Sequence, residues 1–134
     1  MVFNEVMGDQ SQEKRLVQRV PATMSALLAI PEEELQIREV EVNGIDLMVS
    51  AAGQTFAVEV VGGSSAGVVA THAERAARSA KATDKRATPV LAVPFMGESG
   101  KQACERAGVS WFDFSGNARI IAPGIRVIVD GRPN

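Results

Sequence analysis

IREVEVNGIDLMVSAAGQTFAVEVV, residues 37–61, reads as three short strands joined by two tight turns. Ile45, Leu47 and Val49 alternate with Asp46, Met48 and Ser50, and Phe56, Val58 and Val60 alternate with Thr55, Ala57, Glu59 and Val61. A period of two marks a half-buried strand, because successive side chains point to opposite faces. Ala51-Ala52-Gly53-Gln54 is short enough for a hairpin loop. A register with Ser50 facing Thr55 then sets Asp46 opposite Glu59, on the face away from Ile45, Leu47, Phe56 and Val58. Asn43-Gly44 is the strongest two-residue hairpin signal, and a turn there puts Val42 opposite Ile45 and Glu41 opposite Asp46. Glu41, Asp46 and Glu59 would line one row, unless a bulge at Asn43-Gly44 interrupts it. Facing carboxylates repel and need compensation. Oxygen ligands in such a row suit a hard cation, magnesium or manganese, whereas solvent alone suffices if the acids merely blunt an exposed face.

The flanking sequence supplies helices. Asp9 to Ile30 has apolar residues at helical spacing, Leu16, Val17, Val20, Met24, Leu27 and Leu28, with Asp9 and Gln12 placed as a capping box. Pro21 should kink or restart this helix. Pro31 before Glu32-Glu33-Glu34 suits the first turn of another short helix, where acids oppose the positive end of the dipole. After the strands, Ser64 or Ser65 caps a helix reaching about Ala82, whose stripe of Val69, Ala73, Ala76 and Ala80 permits close approach to a sheet. Arg75, Arg78 and Lys81 follow one another on another side, continued by Lys85 and Arg86. This basic patch is the candidate contact for a phosphate backbone; a solvated face explains it equally well. His72, on the same helix, reads as a packed or surface histidine.

Val90-Leu91-Ala92-Val93, opened by Thr88-Pro89, is a continuous apolar run and predicts a strand buried on both faces in the middle of the sheet. A strand, a helix and another strand imply a parallel pair, hence the α/β class. The loop Phe95–Lys101 ends in Gly-Lys but is not a nucleotide-phosphate loop, because Phe95 stands at the first glycine position and Gln102 where Ser or Thr would bind magnesium. No nucleotide cofactor is expected. Ser99 is the expected cap of a helix containing Cys104 and ending at Gly108. Val109–Phe114 forms a further strand, and Ala118–Ala122 with Ile125–Asp130 forms a hairpin across Pro123-Gly124. Asp113 and Asn117 are residue types that stabilise turns through their own side chains and could also face a ligand.

Composition narrows the function classes. The 134 residues fit one domain, with a helical segment over 1–34 and a core over 35–134. With 46% hydrophobic and 22% charged residues the chain is ordinary globular material without a bilayer-length apolar run. The start shows no secretory signal pattern, and one cysteine and one histidine exclude an internal disulfide and a Cys/His zinc site, so a cytoplasmic location is expected. A net charge of −2 argues against a generally basic nucleic-acid binder and leaves DNA contact to a local patch.

An Asp on one strand, a short loop, then an apolar strand ending in Glu-x-Lys is the pattern of the PD-(D/E)xK nuclease-like superfamily. Asp46 with Glu59-Val60-Val61 resembles it except that Val61 stands where the family has lysine. The resemblance implies a restriction-endonuclease-like α/β fold, a mixed central sheet flanked by helices with an antiparallel meander and a C-terminal hairpin. It implies that Asp46, Glu59 and the Val60 carbonyl correspond to metal ligands for magnesium or manganese, with Glu41 a further candidate from the acidic row. It also makes Glu33 or Glu34 conceivable carboxylate donors from the N-terminal segment. The missing lysine implies a degenerate catalyst, unless Lys81 or Lys85 reaches the site from its helix. GVSWFDFSGNARI (108–120) and PGIRVIVDGRPN (123–134) resemble the end of a nuclease-like domain that precedes a winged helix in bacterial regulators. The chain is then a domain acting in DNA binding or regulation. The alternatives are an active metal-dependent endonuclease and a protein-interaction or homodimerisation module that touches no nucleic acid.

Overall fold

The computed structural model describes residues 2–134, with side chains from Gln12 onward. Its elements run α1 (Val2–Leu28), a 3-10 turn (Glu32–Glu34), β1 (Gln36–Val42), β2 (Ile45–Ala51), β3 (Gln54–Val60), α2 (Ala66–Thr83), β4 (Thr88–Val93), α3 (Glu98–Ala107), β5 (Ser110–Asp113), β6 (Ala118–Ala122) and β7 (Ile125–Val129). One seven-stranded sheet takes the strands in sequence order. β3, β4 and β5 are parallel, and the pairs outside them, β1/β2, β2/β3, β5/β6 and β6/β7, are antiparallel. This is the mixed α/β sheet flanked by helices that the sequence predicts, with its meander and closing hairpin.

Side-chain alternation sorts the core into two layers. Val90 and Ala92 of β4 join Leu47, Val49, Phe56, Val58, Val60, Phe112 and Ile120 beneath Leu16, Val20 and Met24 of α1. Leu91 and Val93 point the other way, to Val69 and Ala73 of α2 and Cys104 of α3. β4 is therefore buried on both faces, as its unbroken apolar run requires. The small stripe of α2 does what its size permits: Val69, Ala73, Ala76 and Ala80 are all buried. The Cys104 thiol is pushed up to about 12 by burial, which keeps it an inert apolar filler at neutral pH.

Local expectations change at two helix starts. Helix α1 begins at Val2 and not at Asp9, whose side chain lies outside the described residues. It also runs through Pro21 without restarting, with Val20 and Met24 anchored in the core on either side. In α3 the cap is Gly97 and not Ser99, which lies within the first turn, and Lys101 N–H bonds to the Gly97 carbonyl. The other end behaves as read: Gly108 has φ +70 and returns its N–H to the last turn, a left-handed cap that only glycine adopts freely.

Asp113 ties the sheet's parallel and antiparallel halves together. Its fully buried carboxylate accepts the backbone N–H groups of Met96 (3.0 Å), Ser115 (3.0 Å) and Asn117 (2.9 Å), and the Asn117 side chain. Asn117 exchanges two further bonds with the Arg132 backbone. Both residues are thus committed to structure, and the ligand contact considered for them is replaced by turn locking. Asp113→Ala orphans several buried donors at once and is expected to cost about 3–5 kcal/mol, read from denaturant unfolding.

Candidate functional site

The β2–β3 register confirms Ser50 opposite Thr55, and the ladder continues to Leu47 opposite Val58. Beyond that point the strands part. Ile45 packs with Met48, Ala57 and Ala80 on the α2 face, so the alternation slips by one position between Asp46 and Leu47. Asp46 consequently opens toward α1, where it lines a cleft of about 350 Å³ with Glu13, Lys14, Val17, Gln18, Glu39 and Glu41. Its Oδ2 accepts the Val60 N–H at 2.8 Å, replacing the ladder bond that a backbone carbonyl would have supplied. The expected face-to-face pair of Asp46 and Glu59 is corrected accordingly: one carboxylate turns to α1 and the other to α2.

Glu41 also departs from the expected row. Val42 does face Ile45, but a bulge between Glu39 and Val42 shifts the register, and Glu41 takes a φ of +44. It enters the same cleft through that bulge and not by pairing with Asp46. Glu33 and Glu34 are exposed in the 3-10 turn, and the helical carboxylate in the cleft is Glu13. Glu13 Cγ would lie 3.2 Å from a Cβ on Gly62, so the bare backbone there is what admits it. Glu13 was legible in principle, since it falls three and seven residues before Leu16 and Val20 on the buried stripe of α1.

Glu59 is 2% exposed and sits between Ala57 and Val61 on the α2 side of β3. Its Oε2 contacts both Arg75 Nη2 and His72 Nδ1, one α2 turn apart. Arg75 Nη2 also lies 2.9 Å from His72 Nδ1. That nitrogen either carries a proton toward Glu59 or accepts one from Arg75, and cannot do both. Arg75 further packs on Gly44, where a Cβ would meet its guanidinium at 3.0 Å, bridging α2 to the β1–β2 turn. Glu59 Oε1 is buried with no partner among the described residues.

Arg75 thereby leaves the basic patch expected of α2. Arg78, Lys81 and Lys85 remain together, lining a separate cleft of about 330 Å³ with Ala87 and Pro89, and Arg86 is exposed beside them. Lys81 lies six residues beyond Arg75, about 9 Å along a helix. Its neighbour Pro89 stands at the level of Ala57, whereas Glu59 stands opposite Leu91. Neither Lys81 nor Lys85 lines the Asp46 cleft; the lysine that does is Lys14. Val61 is 3% exposed and packs with Val69, Leu91 and Met96, so the position two residues after Glu59 is filled by core.

Among the described residues no three His, Cys, Asp or Glu side chains converge closely enough to hold a metal. One Asp46 oxygen holds a backbone N–H, and Glu59 Oε2 is held by a guanidinium and an imidazole, so this donor set does not fit a divalent ion as arranged. No helix among the described residues is long and apolar enough to cross a membrane.

No family model matches the sequence, and no curated protein does. Among solved structures, a repair endonuclease from Pyrococcus abyssi aligns with a TM-score of 0.55 at 17% identity, over 78% of this chain. The chain spans about half of that protein, 46% of its length. Likeness at this identity establishes the fold, and the fold is nuclease-like.

Two outcomes test the site. Removing the cation from a buried carboxylate strands the charge, although Arg75 is itself half exposed, so Arg75→Ala should cost about 2–3 kcal/mol and Glu59→Gln less, about 1 kcal/mol, by denaturant melts. Asp46 is raised from its ordinary 3.8, first by burial and then by the Glu59, Glu13 and Glu41 charges, against the lowering effect of the Val60 bond. A raised carboxyl contributes stability that is present below its unfolded value and lost as pH climbs through the folded one. Asp46→Asn, whose amide oxygen still accepts the Val60 N–H, should therefore raise the melting temperature at pH 7, with the gain vanishing near pH 3.

Proposed function

We propose that this chain is a nuclease-like module of PD-(D/E)xK type that binds DNA in a regulatory role without cutting it. The observation that carries the non-cutting half is the engagement of Glu59 by Arg75 and His72. A resident cation occupies the charge that a metal would otherwise meet, and Val61 leaves no amine beside it. Neutralising Glu59 from within lets the fold persist without an ion. The DNA half is supported by Arg78, Lys81 and Lys85 around one open cleft, in a chain whose overall charge is negative. Concentrating cations on one helix end gives a phosphate-binding surface despite that balance. The regulatory role follows the resemblance of residues 108–134 to the end of domains that precede a winged helix in bacterial regulators.

A metal-dependent endonuclease is the second reading, favoured by the unpartnered Glu59 Oε1 and by Lys14 in the Asp46 cleft. It requires Arg75 and His72 to withdraw from Glu59. A bound divalent ion would supply an activated water and offset charge on the phosphodiester.

Anisotropy with a labelled duplex, taken across a salt series, separates these readings. Binding should weaken as salt rises, and Lys81→Glu or Arg78→Glu should weaken it further while lowering the salt slope by about 1 each. Affinity indifferent to both changes would sink DNA contact at this cleft. In parallel, manganese calorimetry and a nicking assay should show neither saturable binding nor cleavage. Nicking that depends on manganese and disappears in Glu59→Ala would overturn the non-cutting reading in favour of the second.

A further inference from the structure

The sheet has two open edges, and they are treated differently. β1 carries Arg38, Glu39 and Glu41 and a register-breaking bulge between Glu39 and Val42. Charges and bulges are the usual devices that stop an edge from recruiting another strand. β7 has neither device in comparable measure. It pairs with β6 without a break from Ala122–Ile125 to Ala118–Val129, contains no proline, and has Arg126 as its one charge. It also bears Ile128, 49% exposed, on the same face as Ile121, 39% exposed and one same-face pair further along β6.

We propose that β7 pairs antiparallel with β7 of a second copy about a two-fold axis through Ile128, joining two sheets into one. The backbone sets which groups are available. Ala122 and Ile125 close the two-residue Pro123-Gly124 turn and form its hydrogen-bonded pair, so Ile125, Val127 and Val129 bond inward to β6. The N–H and C=O groups of Arg126 and Ile128 then point out from the edge, and Asp130 continues that row. A two-fold axis at Ile128 sets Ile128 against its own copy and Arg126 against Asp130 of the second copy, twice over. Opposite charges at equal distances on either side of an apolar centre make the strand complementary to itself.

The surroundings permit the contact. The carboxylate of Asp130 receives Lys101 Nζ at 2.8 Å and the Gly131 N–H at 2.9 Å, both on Oδ1, which leaves Oδ2 for the arginine. The tail beyond Gly131 returns to Asn117 ahead of β6, away from the outer edge of β7. On the opposite face Ile125 and Val127 already extend the α1-side core, and pairing continues that layer across the axis. A shift of the axis to Val127 would place Arg126 against Ile128 and forfeit both charge pairs.

Sedimentation velocity over a concentration series tests this on the full chain, with circular dichroism to verify folding. The wild type should dimerise, and Ile128→Lys, a change at an exposed position, should yield monomer. Arg126→Asp and Asp130→Arg should each weaken self-association by at least about tenfold, since either sets like charges against each other. Mixing these two variants should restore a dimer, because each then meets its complement across the axis. A wild type that stays monomeric, or a dimer indifferent to Ile128→Lys, would overturn the interface. Failure of the mixed pair to associate would overturn the register about Ile128.

Discussion

Three parallel strands cannot be left wet on either face, and that constraint arranges everything else. β3, β4 and β5 need cover above and below, since their connections are crossovers that lay helices on the sheet. α1 covers one side through Leu16, Val20 and Met24, and α2 with α3 covers the other through Val69, Ala73 and Cys104. The antiparallel pairs on each flank are appended to this sandwich. Asp113 holds the join between the two regimes, since it collects backbone groups from the β4–α3 loop and from the turn that reverses into β6.

Within this packing Glu59 is the costly element. A charged group between Ala57 and Val61, under the α2 helix, is tolerated only because α2 brings Arg75 and His72 to it. The spacing is helical: residues three apart share a face and can address one oxygen together. Asp46, by contrast, meets the open cleft beside α1 and keeps a raised affinity for its proton. The two acids serve different environments on opposite sides of one strand pair. Their chemistry has to be considered separately.

The fold was legible where periodicity was strict. The alternation of residues 47–58, the unbroken run of Val90–Val93 and the Pro123-Gly124 turn gave strands, faces and register as observed. The site was legible only as far as backbone pairing carried it. The slip between Ile45 and Met48, and the bulge at Glu41, occur where the strands splay, and no local pattern announces a splay. Arg75 looked like its neighbours Arg78 and Lys81 because sequence spacing does not reveal which cation a buried carboxylate will claim. Glu13 was hidden for a similar reason: it had to be recognised as a polar residue on an otherwise buried stripe.

The packing of Val61 has a bearing on engineering. Its side chain is surrounded by Val69, Leu91 and Met96, a close-packed pocket with room for a small branched hydrocarbon. A lysine introduced there would bring a long stem and an ammonium into an environment already shaped around two methyl groups. Placing an amine beside Glu59 is therefore not a matter of one codon. It would require repacking the α2 layer around residue 61, while Arg75 already holds the Glu59 carboxylate.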